Sequence, residues 1–160
     1  MPIQEMTRDE CRIALEQADL GRLACVRVDQ PYIVPISFAY DGKHLYGITT
    51  LGQKIEWMRS NPLVCVEIDE RTNHYRWMSV VAYGRYEELP DTPEHGQARA
   101  YALEVLQKRE TWWQTACVVG GTREESTPIL YRIHIGQVTG HRATPDAIEA
   151  AALDAEEIRI

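Results

Sequence analysis

The sequence predicts a mainly β domain, a small barrel with helices at its periphery. Three observations predict it. Six strand-like runs recur along the chain, each bounded by turn residues. Asp41-Gly42 separates two of them, a strong signal for a two-residue hairpin. The helical stretches are short and irregularly inserted, unlike the steady alternation of a doubly wound sheet.

The elements follow in order. Thr7-Arg8-Asp9-Glu10 is a capping box, in which Thr7 accepts from the third N–H of the helix while Glu10 reaches back. Cys11, Ala14, Leu15 and Ala18 then fall at helical spacing, and Gly21 is expected to end that helix. Gly21 to Val28 reads as a strand, Asp29-Gln30-Pro31 as a turn, and Tyr32 to Tyr40 as a second strand. Pro35 places that strand at an edge or a bulge, because proline cannot donate to a ladder. His44 to Thr49 pairs back as the third strand. Gln53 to Ser60 is a short helix stopped near Asn61-Pro62, and Leu63 to Asp69 is strand four.

Trp77 to Leu89 is a long fifth strand. Met78, Val80, Ala82, Gly84 and Tyr86 share one face; Trp77, Ser79, Val81, Tyr83 and Arg85 share the other. Both faces are largely apolar, as expected of a strand covered on both sides. Thr92-Pro93-Glu94 opens a helix whose buried stripe is Ala98, Tyr101, Ala102, Val105 and Leu106. Trp112-Trp113 and a Gly120-Gly121 loop follow, the tryptophans suiting core or interface packing. Ile129 to Thr139 is the sixth strand. Residues 1–143 form the domain, and 144–160 form an acidic tail that is helical and solvated.

The chain has 160 residues, enough for one domain with a sizeable core. Its net charge of −7 argues against broad nucleic-acid binding but leaves room for a local anion site. The four cysteines form no CxxC pair, and Cys25 and Cys65 lie in apolar runs, so buried reduced thiols in a cytoplasmic protein are expected. The histidines His44, His74, His95, His134 and His141 are scattered, so no metal site is expected. No signal peptide and no run long enough to span a bilayer are visible, so no membrane partner is expected.

The chemistry concentrates between Leu45 and Asp69. A strand runs into a turn holding Thr49, Thr50 and Gly52, and then Gln53 and Lys54 open a helix. Backbone N–H groups, two hydroxyls and one cation gather at a helix N-terminus, a corner that suits a phosphate. The bland alternative is an ordinary helix start. The spacing is neither a P-loop nor a dinucleotide fingerprint. No side chain stands out as a catalytic acid, base or nucleophile.

The ordered series Gly21-Arg22-Leu23-Ala24, Pro35-Ile36-Ser37-Phe38, Leu45-Tyr46, Gly52-Gln53-Lys54, Asn61-Pro62-Leu63-Val64-Cys65 and Ser79-Val80-Val81 with Gly84-Arg85 resembles the pyridoxamine 5′-phosphate oxidase-like superfamily. More closely, it is similar to the flavin-nucleotide-binding branch that includes nitroimidazole-resistance-type proteins. The resemblance spans about residues 7 to 142. It implies a six-stranded Greek-key split β-barrel, a homodimer, and FMN held between the subunits. It places Arg22, Leu23 and Ala24 beside the isoalloxazine ring. Ile48, Thr49 and Thr50 fall near the ring and ribityl chain, Gln53 and Lys54 at the phosphate, and Ser79 on a strand reaching the flavin. Three departures stand out. Gln53 replaces an arginine common in the oxidases, in a turn about one residue shorter. Ile48 stands where a histidine is frequent in nitroimidazole-resistance-type proteins. Thr139-Gly140-His141-Arg142-Ala143 is not the oxidases' substrate motif. The implied function is an FMN-dependent oxidoreductase acting on a small molecule. The alternatives are a non-catalytic flavin carrier or sensor, or the same fold holding deazaflavin or haem.

Overall fold

The computed structural model describes residues 3–109 and 127–145. In chain order the elements are β1 (Ile3–Glu5), α1 (Arg8–Gln17), β2 (Leu20–Arg27), β3 (Gln30–Ser37), β4 (Ala39–Tyr40), β5 (His44–Thr49), α2 (Gln53–Ser60), β6 (Leu63–Arg71) and β7 (Trp77–Glu88). A one-turn 3-10 helix (Pro93–His95) then leads into α3 (Gly96–Gln107), and β8 (Ile129–Ala143) follows. The expected Trp112-Trp113 packing, the Gly120-Gly121 loop, Cys117 and the acidic tail from Asp146 onward lie outside the described residues. Among the described residues no helix is long and apolar enough to cross a membrane.

The strands form one antiparallel sheet in the order β3-β2-β6-β7-β8-β5-β4, with β1 added on β8. This mainly antiparallel architecture with peripheral helices is compatible with the expected split barrel. The strand count is eight, not six, for two reasons. Ile3–Glu5 pairs with His141–Ala143 and adds a strand at the N-terminus. The expected run from Tyr32 to Tyr40 divides at Phe38, whose N–H donates to the Asp19 carbonyl at 3.1 Å instead of to a ladder. Pro35 does lie on an edge strand, β3.

Three boundaries move for local reasons. The α1 helix closes at Ala18, whose N–H donates to the Ala14 carbonyl at 3.0 Å, and Gly21 is already inside β2. The β2–β3 turn sits at Val28 and Asp29, with φ of 47° and 62°, so β3 begins at Gln30. That is the left-handed pair a tight hairpin demands, and it is an uncommon place for a β-branched residue. The last strand continues to Ala143 because both β7 and β1 pair with its end.

The helices are fixed by short apolar stripes. The capping box of α1 forms as expected, with Glu10 N–H donating to Thr7 Oγ1 and Thr7 N–H to Glu10 Oε2 at 2.7 Å. Cys11, Ala14 and Leu15 are buried, and α1 lies against β8, β7 and β4. Ile55 and Met58 anchor α2, which faces β2, and both are fully buried. Each such side chain contributes about 1.5–3 kcal/mol through removal from water. Ala102 and Leu106 of α3 join Ala39, Tyr46, Leu89 and Leu130 in a second, smaller core. Gly47 leaves the space that the fully buried Tyr131 ring fills; a Cβ there would collide with that ring.

The faces of β7 split as the sequence pattern predicts, but only one is buried in the protomer. Val80, Ala82 and Tyr86 enter the main core, whereas Tyr83 is 47% exposed. Cross-strand neighbours on that outer face form rows. One row runs Pro35, Arg22, Glu67, Val81 and Thr139. The next runs Ile33, Ala24, Cys65, Tyr83 and Gln137.

Candidate functional site

The Thr49–Lys54 corner is built by two anchors. β5 holds Thr49 through its pairing with Ile129 on β8. Ile55, fully buried, fixes the first turn of α2. Between them Gly52 occupies the N-cap in extended backbone and supplies no side-chain cap. The first intrahelical bond is Glu56 N–H to the Gly52 carbonyl at 3.1 Å, so the N–H groups of Gln53, Lys54 and Ile55 precede the helical ladder. Thr50 is half-buried, and the Thr49 hydroxyl makes only a long 3.4 Å bond to the Thr50 carbonyl.

Lys54 is the distinctive group of this corner. It is half-buried, and among the described residues it has neither an ion-pair partner nor a hydrogen bond. Burial lowers its pKa below the ordinary lysine value. A half-buried cation in the first turn of a helix whose leading N–H groups have no side-chain cap suits an anion. Gln53, by contrast, is exposed. Ile48 turns its side chain into the small core beneath α3, beside Leu130.

The β2 residues lie elsewhere. Leu23 is fully buried in the main core. Its backbone and that of Ala24 lie in ladders to β3 on one side and β6 on the other, so a ligand at this strand meets side chains rather than free backbone. Ala24 is half-buried on the outer face. Arg22, exposed, donates to Glu67 at 3.0 Å and to Asp69, and these hydrogen bonds, Asp69 first, raise its pKa. Asp69 also stands opposite Ser79 on β7, which is half-buried. Arg22 and Ser79 thus meet around one carboxylate, beside a cavity of about 360 Å³ lined by Leu20, Arg22, Pro35, Asp69 and Met78.

Four of the expected residues (Thr49, Thr50, Gln53 and Lys54) therefore gather at one corner, Ile48 turns away from it into the small core, and Arg22 and Ser79 gather on the outer sheet face. The two groups are separated along β2. Trp57 of α2 packs on Tyr32 with ring centroids 5.4 Å apart, and Tyr32 is opposite Cys25. Cys25 is three residues from Arg22, roughly 10 Å along the strand. Glu67 and Asp69, the partners of Arg22, are not among the residues the sequence singles out. The available signal was their alternation on β6, which puts both on the face that carries Arg22.

The lowered pKa of Lys54 makes a stability prediction. Between its folded value and the ordinary 10.5, the unfolded chain holds more protons than the folded one. Stability therefore rises with pH through that window, and the cost of the buried charge is fully present at neutral pH. Lys54→Met is expected to make the ligand-free protein more stable at pH 7 and to flatten the alkaline rise. Urea unfolding across pH 7–10.5 checks this. A less stable variant with an unchanged alkaline slope would contradict it.

Comparison with known proteins agrees with this architecture. The sequence profile of the pyridoxamine 5′-phosphate oxidase family matches residues 7–142. An uncharacterized protein of Rhizobium meliloti is 41% identical over 146 residues, covering 89% of this chain and 97% of that protein. The solved structure of an FAD-binding protein from Mesorhizobium loti is 42% identical, with a TM-score of 0.74, covering 90% of this chain and 100% of that one. An FAD-binding protein from Mycobacterium smegmatis matches at 20% identity and a TM-score of 0.61, over 88% of this chain and 98% of that one, a likeness that speaks for the fold alone. This chain belongs to the pyridoxamine 5′-phosphate oxidase family.

Proposed function

We propose that the protein binds a flavin nucleotide and acts as a flavin-dependent oxidoreductase on a small molecule. The observation that carries this reading is Lys54, half-buried and without a partner among the described residues at the uncapped start of α2. The FAD-binding description of the 42%-identical Mesorhizobium protein supports it. Lys54, Gln53, Thr49 and Thr50 hold the phosphate next to the ribityl chain. That phosphate is common to FMN and to the FMN half of FAD, and FMN is the ligand we assign. The bound flavin supplies hydride or electron transfer; the protein supplies binding, orientation and electrostatics. Arg22 and Ser79 contribute at the flavin ring from the outer sheet face.

A second reading, a non-catalytic flavin carrier or sensor, is favoured by Ile48. Its apolar side chain is packed inward, so no acid or base stands at the end of β5. Sustained NAD(P)H oxidation by the flavin-loaded protein would decide against the carrier. The buried free thiols Cys11 and Cys25 suit a reducing compartment, and we place the protein in the cytoplasm.

We further propose a homodimer, with the flavin between subunits. It rests on the outer face of the sheet. Ile33, Leu63, Leu20 and Tyr83 are 62%, 61%, 54% and 47% exposed there, an apolar surface that water covers poorly. A second copy laid on this face would also bring a partner's Arg22–Ser79 region towards a Lys54 corner, which the single protomer keeps apart.

Two outcomes are expected. In calorimetric titrations Lys54→Ala weakens FMN binding by about 1.5–3 kcal/mol, the worth of a charge-assisted bond to phosphate. Unchanged affinity for both FMN and FAD would remove Lys54 from the phosphate site. In sedimentation velocity the wild-type chain runs as a dimer, and Ile33→Asp runs as a folded monomer with weakened flavin binding. A monomeric wild type would overturn the dimer.

A further inference from the structure

Apart from the corner and the outer sheet face, a cleft of about 260 Å³ opens between α1, the turn from β4 to β5, and the middle of β8. Its lining includes Arg8, Arg12, Lys43 and His134, and no carboxylate. In a chain of net charge −7, that concentration of cations runs against the composition. Arg8 and Arg12, one helical turn apart, share a face of α1. Arg12 is steadied by donating to the Gly42 carbonyl. Lys43 is held by its own N–H, which donates to Asp41 Oδ1 at 2.9 Å.

The neighbouring carboxylates are engaged elsewhere. Glu10 accepts from Thr7 and pairs with Arg142 at 2.7 Å. Asp41 accepts the N–H groups of Lys43 and His44 and the hydroxyls of Tyr46 and Tyr101. Glu16 reaches the same side of Gly42 as Arg12 and offsets part of its charge. Among the described residues, Arg8 and Lys43 have no ion-pair partner, so they carry the surplus.

We propose that this cleft binds a small organic phosphate, at a site that shares no residue with the Lys54 corner. Guanidinium forks match phosphate geometry, and the ammonium of Lys43 adds a third cation. The cavity is roomier than a bare phosphate needs, and the half-buried Ile135 and Val138 give it a small apolar wall for the organic part. Gly136 also lines it. A Cβ there would meet no heavy atom within 4 Å, and its φ is not in the left-handed region, so a larger residue is tolerated by the backbone and projects into free space.

The test is a titration of the FMN-loaded protein with phenyl phosphate, read by amide NMR shifts and repeated with inorganic phosphate and with sodium chloride at matched ionic strength. Saturable shifts at Gly42, Lys43 and Gly136 are expected, with phenyl phosphate binding more tightly than inorganic phosphate. The double variant Arg8→Ala with Lys43→Ala weakens binding about tenfold or more, as expected for lost charge-assisted bonds. Gly136→Leu, with an otherwise native spectrum, abolishes binding. Lys54→Ala, titrated without flavin, leaves binding unchanged, which separates this cleft from the flavin site. Absence of saturable shifts there, equal shifts with chloride, loss of binding in Lys54→Ala, or equal affinity for inorganic phosphate would overturn the proposal.

Discussion

Twelve residue pairs join β7 to β8, from Trp77 opposite Ala143 to Glu88 opposite Tyr131, and every other strand is placed from that ladder. β6 and then β2 and β3 extend it on one side; β5 and β4 extend it on the other. The ladder is not straight. Its register shifts between Tyr83 and Gly84, and a Cβ on Gly84 would lie 2.5 Å from the His134 carbonyl oxygen. A bulge of this kind increases local twist and lets a long sheet curl. The curl carries the β2–β3 hairpin around to meet α2, where Tyr32 packs on Trp57. The position of Lys54 is thus a consequence of how β7 and β8 pair.

Much of this was legible in the chain. The capping box at Thr7 and Glu10, a hairpin near Asp41-Gly42 (though its turn is Gly42-Lys43, closed by Asp41 N–H to the His44 carbonyl) and the inward face of β7 follow from local rules that need no tertiary information. What escaped depended on partners distant in sequence. Ile3–Glu5 is a strand only because the end of β8 offers it an edge. The break at Phe38 depends on the Asp19 carbonyl, nineteen residues earlier. At the site, Thr49, Thr50, Gln53 and Lys54 could be named together because they are adjacent in sequence. That Lys54 would be half-buried without a partner could not, since burial is set by α2 lying over β2. The same holds for Arg22, whose two carboxylates come from a strand more than forty residues on.

The electrostatics of the molecule have a common form. Several cations are paired at the surface: Arg22 with Glu67 and Asp69, Arg59 with Glu88, Arg132 with Glu87. Exposed pairs of this kind contribute little to stability but keep cations from acting as anion receptors. Three cations without an ion-pair partner among the described residues are set apart by where they lie. Lys54 is held partly out of water, and Arg8 and Lys43 face a cleft without carboxylates. Polar satisfaction elsewhere is high. The Tyr46 hydroxyl, pushed up to about 12 by burial and then by Asp41, donates to that aspartate beneath α3. The apolar outer face completes the pattern, since Ile33 and Tyr83 sit in one row across the sheet with only Ala24 and Cys65 between them.

Flavin binding is tested most directly by the visible absorption spectrum of the purified protein, before and after addition of FMN, with any released cofactor identified by chromatography. Flavin bands near one equivalent per chain are expected, with FMN binding lost or weakened when Lys54 is removed. A colourless protein whose spectrum of added FMN and FAD is unchanged from free flavin would contradict flavin binding.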